Sequence, residues 1–299
     1  MKYFKKILPA LLFGLISLSI TNNAYAQKTQ VGALIKQAKK AGIEQQALTD
    51  LQNRAKERGV SDQQLQAIIK TAISMSEENL PSNVVIQKSL EGFSKGIPAN
   101  RIISVVRQEH QSMKQAAGII DPWIQKSSVQ QMLKHSNSQM SKQIFRNELA
   151  KATSKSIMRN MSSETINGVL SQIGNESVLS HAQPSDVVAA MGILPDLSSS
   201  ANSKTSGNFV VRALKGGFNS DDLQKLPSAM RMAQQRGELP AASVLEGVLN
   251  QMKKGVPARQ IIQNLINGKI GGGPPGNKPP GLGHKGNHGH SNGSNGNGS

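Results

Sequence analysis

Three groups of residues have the types and spacing that could support chemistry. The first is His284, His288 and His290, set among glycine and asparagine in the last stretch of the 299-residue chain. Neutral imidazoles so placed could share one Zn²⁺, Ni²⁺ or Cu²⁺ ion, the chemistry of a metal-handling protein. The second is Lys151, Lys155 and Arg159, each four residues from the next. On a helix that spacing stacks all three cations on one face, where they attract anions. The third is Gly92-Phe93-Ser94-Lys95-Gly96, which matches the G-x-S-x-G pattern of a serine nucleophile held in a sharp turn. Such a turn follows a strand, whereas here the pattern falls where a helix should end.

Acid–base chemistry has less to build on. His110, His135 and His181 lie on separate segments, and the neighbours Glu109 and His110 point to different faces of a helix. Asp221 and Asp222 follow Ser220 and fit the first turn of a helix, where negative charge is favourable. Glu77 and Glu78 stand near a helix end and read as a solvated turn. No phosphate-binding glycine loop, EF-hand or zinc spacing occurs. The sequence therefore points away from an enzyme. An envelope-acting hydrolase whose site only the fold would assemble is the remaining catalytic alternative.

Charge says more. Lysine and arginine number 35 against 18 acidic residues, a net charge of +17. Setting aside Lys2, Lys5 and Lys6 at the start leaves +14, and setting aside Lys269, Lys278 and Lys285 near the end leaves +11 on the middle of the chain. A surface so basic suits an anionic polymer such as acidic polysaccharide, envelope phosphate or DNA. Aromatic side chains are scarce: there is one tryptophan, and both tyrosines, Tyr3 and Tyr25, lie in the leader described below. A stacking platform for single-stranded nucleic acid needs more rings than Phe93, Phe145, Phe209 and Phe218 provide. Cysteine is absent, so disulfides contribute nothing and packing alone must hold the fold.

The elements that must position these residues come from the rest of the sequence. Residues 1–26 read as a cleaved signal peptide: three lysines, an apolar stretch from Ile7 to Ile20, and Ala24-Tyr25-Ala26 before Gln27. That predicts export to the periplasm or the extracellular space, with no transmembrane span. Residues 268–299 are rich in Gly, Pro, Asn and His, with few apolar side chains, a composition that predicts disorder. Between the two, helical periodicity dominates. Leu34, Ala38 and Ile43 begin it, Leu48, Leu51 and Ala55 continue it, and Ser61 caps a stripe of Leu65, Ile68, Ile69 and Ala72.

One segment occurs twice. Leu80–Val106 and Leu239–Leu265 align over 27 positions with ten identities, including Lys95/Lys254, Gly96/Gly255, Pro98/Pro257 and Ala99/Ala258. Each Lys-Gly-[Ile/Val]-Pro-Ala predicts a tight corner between two helices. The glycine takes the left-handed conformation that closes the first helix, and the proline opens the second. Upstream, Gly59-Val60-Ser61 resembles Gly217-Phe218-Asn219, so each copy should hold three helices. The expected organisation is a helical repeat half at 27–120, connecting helices at 121–160, and a second half at 161–267. A break is expected at Asp121-Pro122-Trp123, and a loop from Ser198 to Ser206.

With its repeated Lys-Gly-[Ile/Val]-Pro corners and its Gly/Pro-rich tail from Gly271, the chain resembles a loose group of uncharacterised exported bacterial helical-repeat proteins. The resemblance implies export and an all-α repeat fold, and brings no activity. The expectation is an all-α bundle or short α-solenoid of two repeat-related halves, presenting a basic surface to an anionic partner through Lys151, Lys155 and Arg159.

Overall fold

The computed structural model of the protein describes residues 30–136, 140–198 and 203–270. Among the described residues are fourteen helices and no strand, so the chain is all-α. In order they are residues 30–40 (α1), Gln45–Glu57 (α2), Asp62–Glu77 (α3), Asn83–Ser94 (α4), Ala99–Ile124 (α5), Ser127–His135 (α6), Lys142–Met158 (α7), Ser163–Ile173 (α8), Glu176–Leu179 (α9), Pro184–Ser198 (α10), Ser203–Lys215 (α11), Ser220–Gly237 (α12), Ala241–Lys253 (α13) and Ala258–Ile266 (α14).

The repeated corner is built by backbone geometry. Gly96 and Gly255 both have φ +70°, a conformation that costs an ordinary L-residue about 1–2 kcal/mol. The amide after each glycine then bonds back across the helix end: Ile97 N–H to the Gly92 carbonyl at 2.9 Å, and Val256 N–H to the Gln251 carbonyl at 3.1 Å. Pro98 and Pro257 occupy the N-cap, one position earlier than the first helical residue, with ψ near 140° (137° and 144°). There the extended ψ turns the chain away, while each proline carbonyl still accepts the first helical bond, from Ile102 or Ile261. The same closure recurs at Gly59-Val60 and Gly217-Phe218, and with a non-glycine residue at Asn79-Leu80 and Glu238-Leu239. Ser61 caps α3 with a reciprocal bond from its own amide to Gln64, and Asn219 does the capping for α12.

Each copy folds as the same unit. Helices α3, α4 and α5 pack on one another, as do α12, α13 and α14. The copies then diverge: α5 is 26 residues long and α14 only 9. The long helix includes the segment where a break was expected. Asp121-Pro122-Trp123 lies inside α5, which runs on to Ile124. An interior proline removes one rung of the helix, but tertiary contacts hold this one in place. Trp123 is buried, its indole N–H donating to the Leu170 carbonyl at 2.6 Å. Arg146 of α7 grips Asp121 through two parallel bonds of 2.6 and 2.8 Å, and reaches the Asn79 carbonyl at 2.7 Å with a third nitrogen.

The two copies are joined by α7, which lies between α5 and α10, and α10 in turn packs on α11 and α12. Small buried residues along α7 (Ala150, Ala152, Ser154, Ser156) let its neighbours approach from opposite sides. One apolar cluster runs from Val31 to Ile270, so the halves share a continuous core. Its extent moves the tail boundary: Gly268 closes α14 at φ +66° and Ile270 is buried, so the folded part continues past 267. The expected loop is also shorter, because 203–206 belong to α11; residues 199–202 lie outside the described residues. So do the leader and the tail with His284, His288 and His290.

Glu78 has a partner that a solvated turn would not provide. Its carboxylate accepts from His110 Nε2 at 3.3 Å and Lys114 Nζ at 3.2 Å, tying the end of α3 to α5. Partial burial pushes the Glu78 carboxyl up, but the hydrogen bonds from Lys114 and His110 outweigh it and hold the group below its ordinary 4.5. A depressed carboxyl contributes stability above its unfolded pKa and loses it as pH falls through the folded one. Glu78→Gln should therefore cost about 0.5–1 kcal/mol near neutrality. The difference should shrink in urea titrations as pH drops below 4.5.

Candidate anion-binding groove

Lys151 stands two turns from the end of α7, Lys155 in its last turn and Arg159 at its C-cap, so the three lie along one face. The negative end of the helix dipole favours cations in that last turn. Lys155 and Arg159 on this face are exposed, Lys151 half-buried. The face forms part of a groove of about 870 Å³ at the junction of α4, α5, α7, α10 and α12, where the two repeat copies meet. Two further cations enter from outside the stripe: Lys88 from α4 and Arg231 from α12. Sequence reasoning missed both, because nothing local to either residue shows that helices so far apart in the chain share a wall.

Five cations face three carboxylates there, Glu109, Glu148 and Asp196. Lys151 pairs with Glu148 at 2.7 Å. Lys88 lies close enough to Glu91 to lower its carboxyl, while the ion pairs seen among the described residues do not include Lys155, Arg159 or Arg231. Glu109 is buried in the wall and accepts from Ser154 Oγ at 3.2 Å. Apart from Gln224 and Ser228 the remaining wall is apolar, with Val84, Met158, Val188 and Ile193 among its members, and no aromatic ring lines it. A sugar–phosphate or acidic-sugar chain can lie against such a wall, while a nucleobase finds nothing to stack on.

A buried carboxylate holds the groove wall in register. Asp186 of α10 accepts from the Gln183 amide at 2.8 Å, closing the start of its own helix. Its second oxygen accepts from the Ser220 amide at 2.7 Å, which satisfies one of the unpaired donors at the start of α12. Asp186→Ala removes the acceptor from two part-buried amides, and a loss of about 1–2 kcal/mol in urea unfolding is expected. Asp186→Asn keeps one acceptor and should lose less.

The other sequence candidates stay apart. Ser94 is the exposed last residue of α4, with helix rather than strand before it, so the elbow geometry is missing. Glu109 and His110 point to opposite sides of α5, one into the groove and the other toward α3. His135 bonds the Gln131 carbonyl of its own helix. Among the described residues no group of three or more His, Cys, Asp or Glu side chains could hold a metal ion, and no helix is long and apolar enough to cross a membrane. The metal reading rests on His284, His288 and His290, outside the described residues. Gly96, Pro98, Gly255 and Pro257 shape the corners and stand apart from the groove lining. No protein-family model, curated protein or solved structure matches the chain.

Proposed function

We propose that the protein is an exported, non-enzymatic helical scaffold that holds an anionic polymer in the groove between its two repeat copies. The observation that carries this reading is the convergence of Lys88, Lys151, Lys155, Arg159 and Arg231 from three separate helices on one concavity. Solubility alone would scatter the charge evenly. The basic balance of the whole chain raises the local concentration of polyanion, and the groove supplies the place where a single strand of it lies. A pocket of several hundred Å³ takes a few monomer units of one chain, so a duplex reaches only the rim. Acidic polysaccharide or envelope polyphosphate therefore fits this reading better than DNA does.

The test is binding of residues 27–299 to an acidic polysaccharide and to duplex DNA across a salt series. Polysaccharide binding that falls linearly with the logarithm of salt, and persists at salt concentrations where DNA has dissociated, supports the proposal. No binding to either polymer at low salt removes it. Repeating the series with residues 27–270 shows whether the tail takes part, and keeps the buried Ile270 that a cut at 267 would remove.

A further inference from the structure

A second concavity, of about 470 Å³, lies between α3 and α5 on the other side of the first repeat unit. Lys70 and Gln66 line it from α3, and Arg107 and His110 from α5. No carboxylate lines it. Glu78, outside the lining, accepts from His110 Nε2 at 3.3 Å and so holds the ring in place. Gln66 is the unusual member. It is 8% exposed, and its amide nitrogen is buried with no hydrogen-bond partner. A donor kept dry and unpaired is costly, and rotation of the side chain toward the concavity would let a negatively charged oxygen satisfy it.

The repeat provides an internal control. Matching Leu65 with Leu223 and Ile102 with Ile261 puts Ser228 at the place of Lys70 and Ile266 at the place of Arg107. The position of His110 falls beyond the end of α14. The second copy packs the same three helices without these cations, so the helical packing does not require them. Gln66 is matched by Gln224, which is exposed, so the buried amide also belongs to the first copy alone.

We infer that the α3–α5 concavity is a phosphate-binding site, independent of the inter-repeat groove. Lys70 supplies a point charge, Arg107 a planar fork and Gln66 a neutral amide, with the His110 ring in the wall beside them. That donor set exceeds what a carboxylate's two oxygens take up and suits the three terminal oxygens of a phosphate group. The phosphate is either free inorganic phosphate or the terminal ester of a larger molecule.

Calorimetric titration of inorganic phosphate and of glycerol phosphate into residues 27–299, at constant chloride, tests the assignment. Saturable binding is expected, weakened roughly tenfold or more by Lys70→Ser, the residue of the second copy, and by Arg107→Gln. Lys155→Ser, in the other groove, should leave it unchanged. Gln66→Leu gives a double readout: a higher Tm without ligand, because an unpaired buried donor is gone, and a smaller Tm rise with phosphate. Tighter binding of glycerol phosphate identifies an ester as the ligand, and tighter binding of inorganic phosphate identifies the free ion. Absence of saturable heat up to about 10 mM phosphate overturns the proposal. So does binding that survives both Lys70→Ser and Arg107→Gln.

Discussion

Trp123→Ala should remove about 3–5 kcal/mol of stability, the largest loss expected from any single substitution in this chain. The indole is 4% exposed and sits where α5, α7 and α8 meet, with its ring centroid 6.4 Å from that of Phe145 in a tilted pair. Truncation would leave a ring-sized cavity at the place that joins the first repeat unit to the connecting helices. It would also leave the buried Leu170 carbonyl without its 2.6 Å donor. A small domain carries about 5–15 kcal/mol in all, so the alanine variant stands close to the limit of folding. Trp123→Phe separates the contributions. It keeps much of the ring volume and loses the N–H bond, so about 1–2 kcal/mol is expected. Urea unfolding followed by circular dichroism reads both. In the wild type, the single tryptophan makes fluorescence report this junction alone. A Trp123→Ala loss under 1 kcal/mol would mean that the junction packs far less tightly than its burial implies.

The second large effect concerns binding. Reversing Lys155, Arg159 and Arg231 to glutamate together is expected to weaken polyanion binding by roughly two to three orders of magnitude. It should also flatten the salt dependence by about two units of slope, since each phosphate-type contact contributes about 0.7–0.9. The control is reversal of Lys36, Lys39 and Lys40 on α1, which changes the net charge by the same amount at residues outside the groove lining. If the control loses affinity equally, overall charge governs binding and the groove has no special role. Glu109 makes a finer point: it is buried in the groove wall, and if the groove holds a polyanion, Glu109→Gln removes a like charge beside it and should tighten binding by a few-fold.

Much of the architecture was legible in the sequence because it is set by local rules. Lys-Gly-[Ile/Val]-Pro-Ala specifies a left-handed residue, a back-bonded amide and a proline, all within six residues, and both copies fold that way. The stripe of Lys151, Lys155 and Arg159 follows from helical pitch alone. What stayed hidden depends on contacts between distant segments. Lys88 and Arg231 join the stripe only because α7 lies in the middle of the molecule. Asp186 could be read as a first-turn acid, but its bond to Ser220 spans 34 residues. The break expected at Pro122 failed for a related reason. Proline is a local signal, and the Arg146 clamp and the buried Trp123 beside it override that signal from outside the helix. The phosphate site was invisible because its members, taken singly, are ordinary surface residues of two helices.

Three helices carry an interior proline, and two of these prolines, Pro195 of α10 and Pro227 of α12, line the same groove. Each lacks the amide that would tie it to the residue four positions earlier, so the helix is bound less firmly to itself at that level. The groove thus has one stiff side, α7, locked by Arg146 and filled with buried small residues, and two sides that can bend at a fixed height. A clasp built this way can open by a few degrees of helix bending with no corner unmade. On the proposed reading, polymer strands of unequal girth would then be gripped by the same cations, as suits a chain recognised for its charge rather than its exact shape.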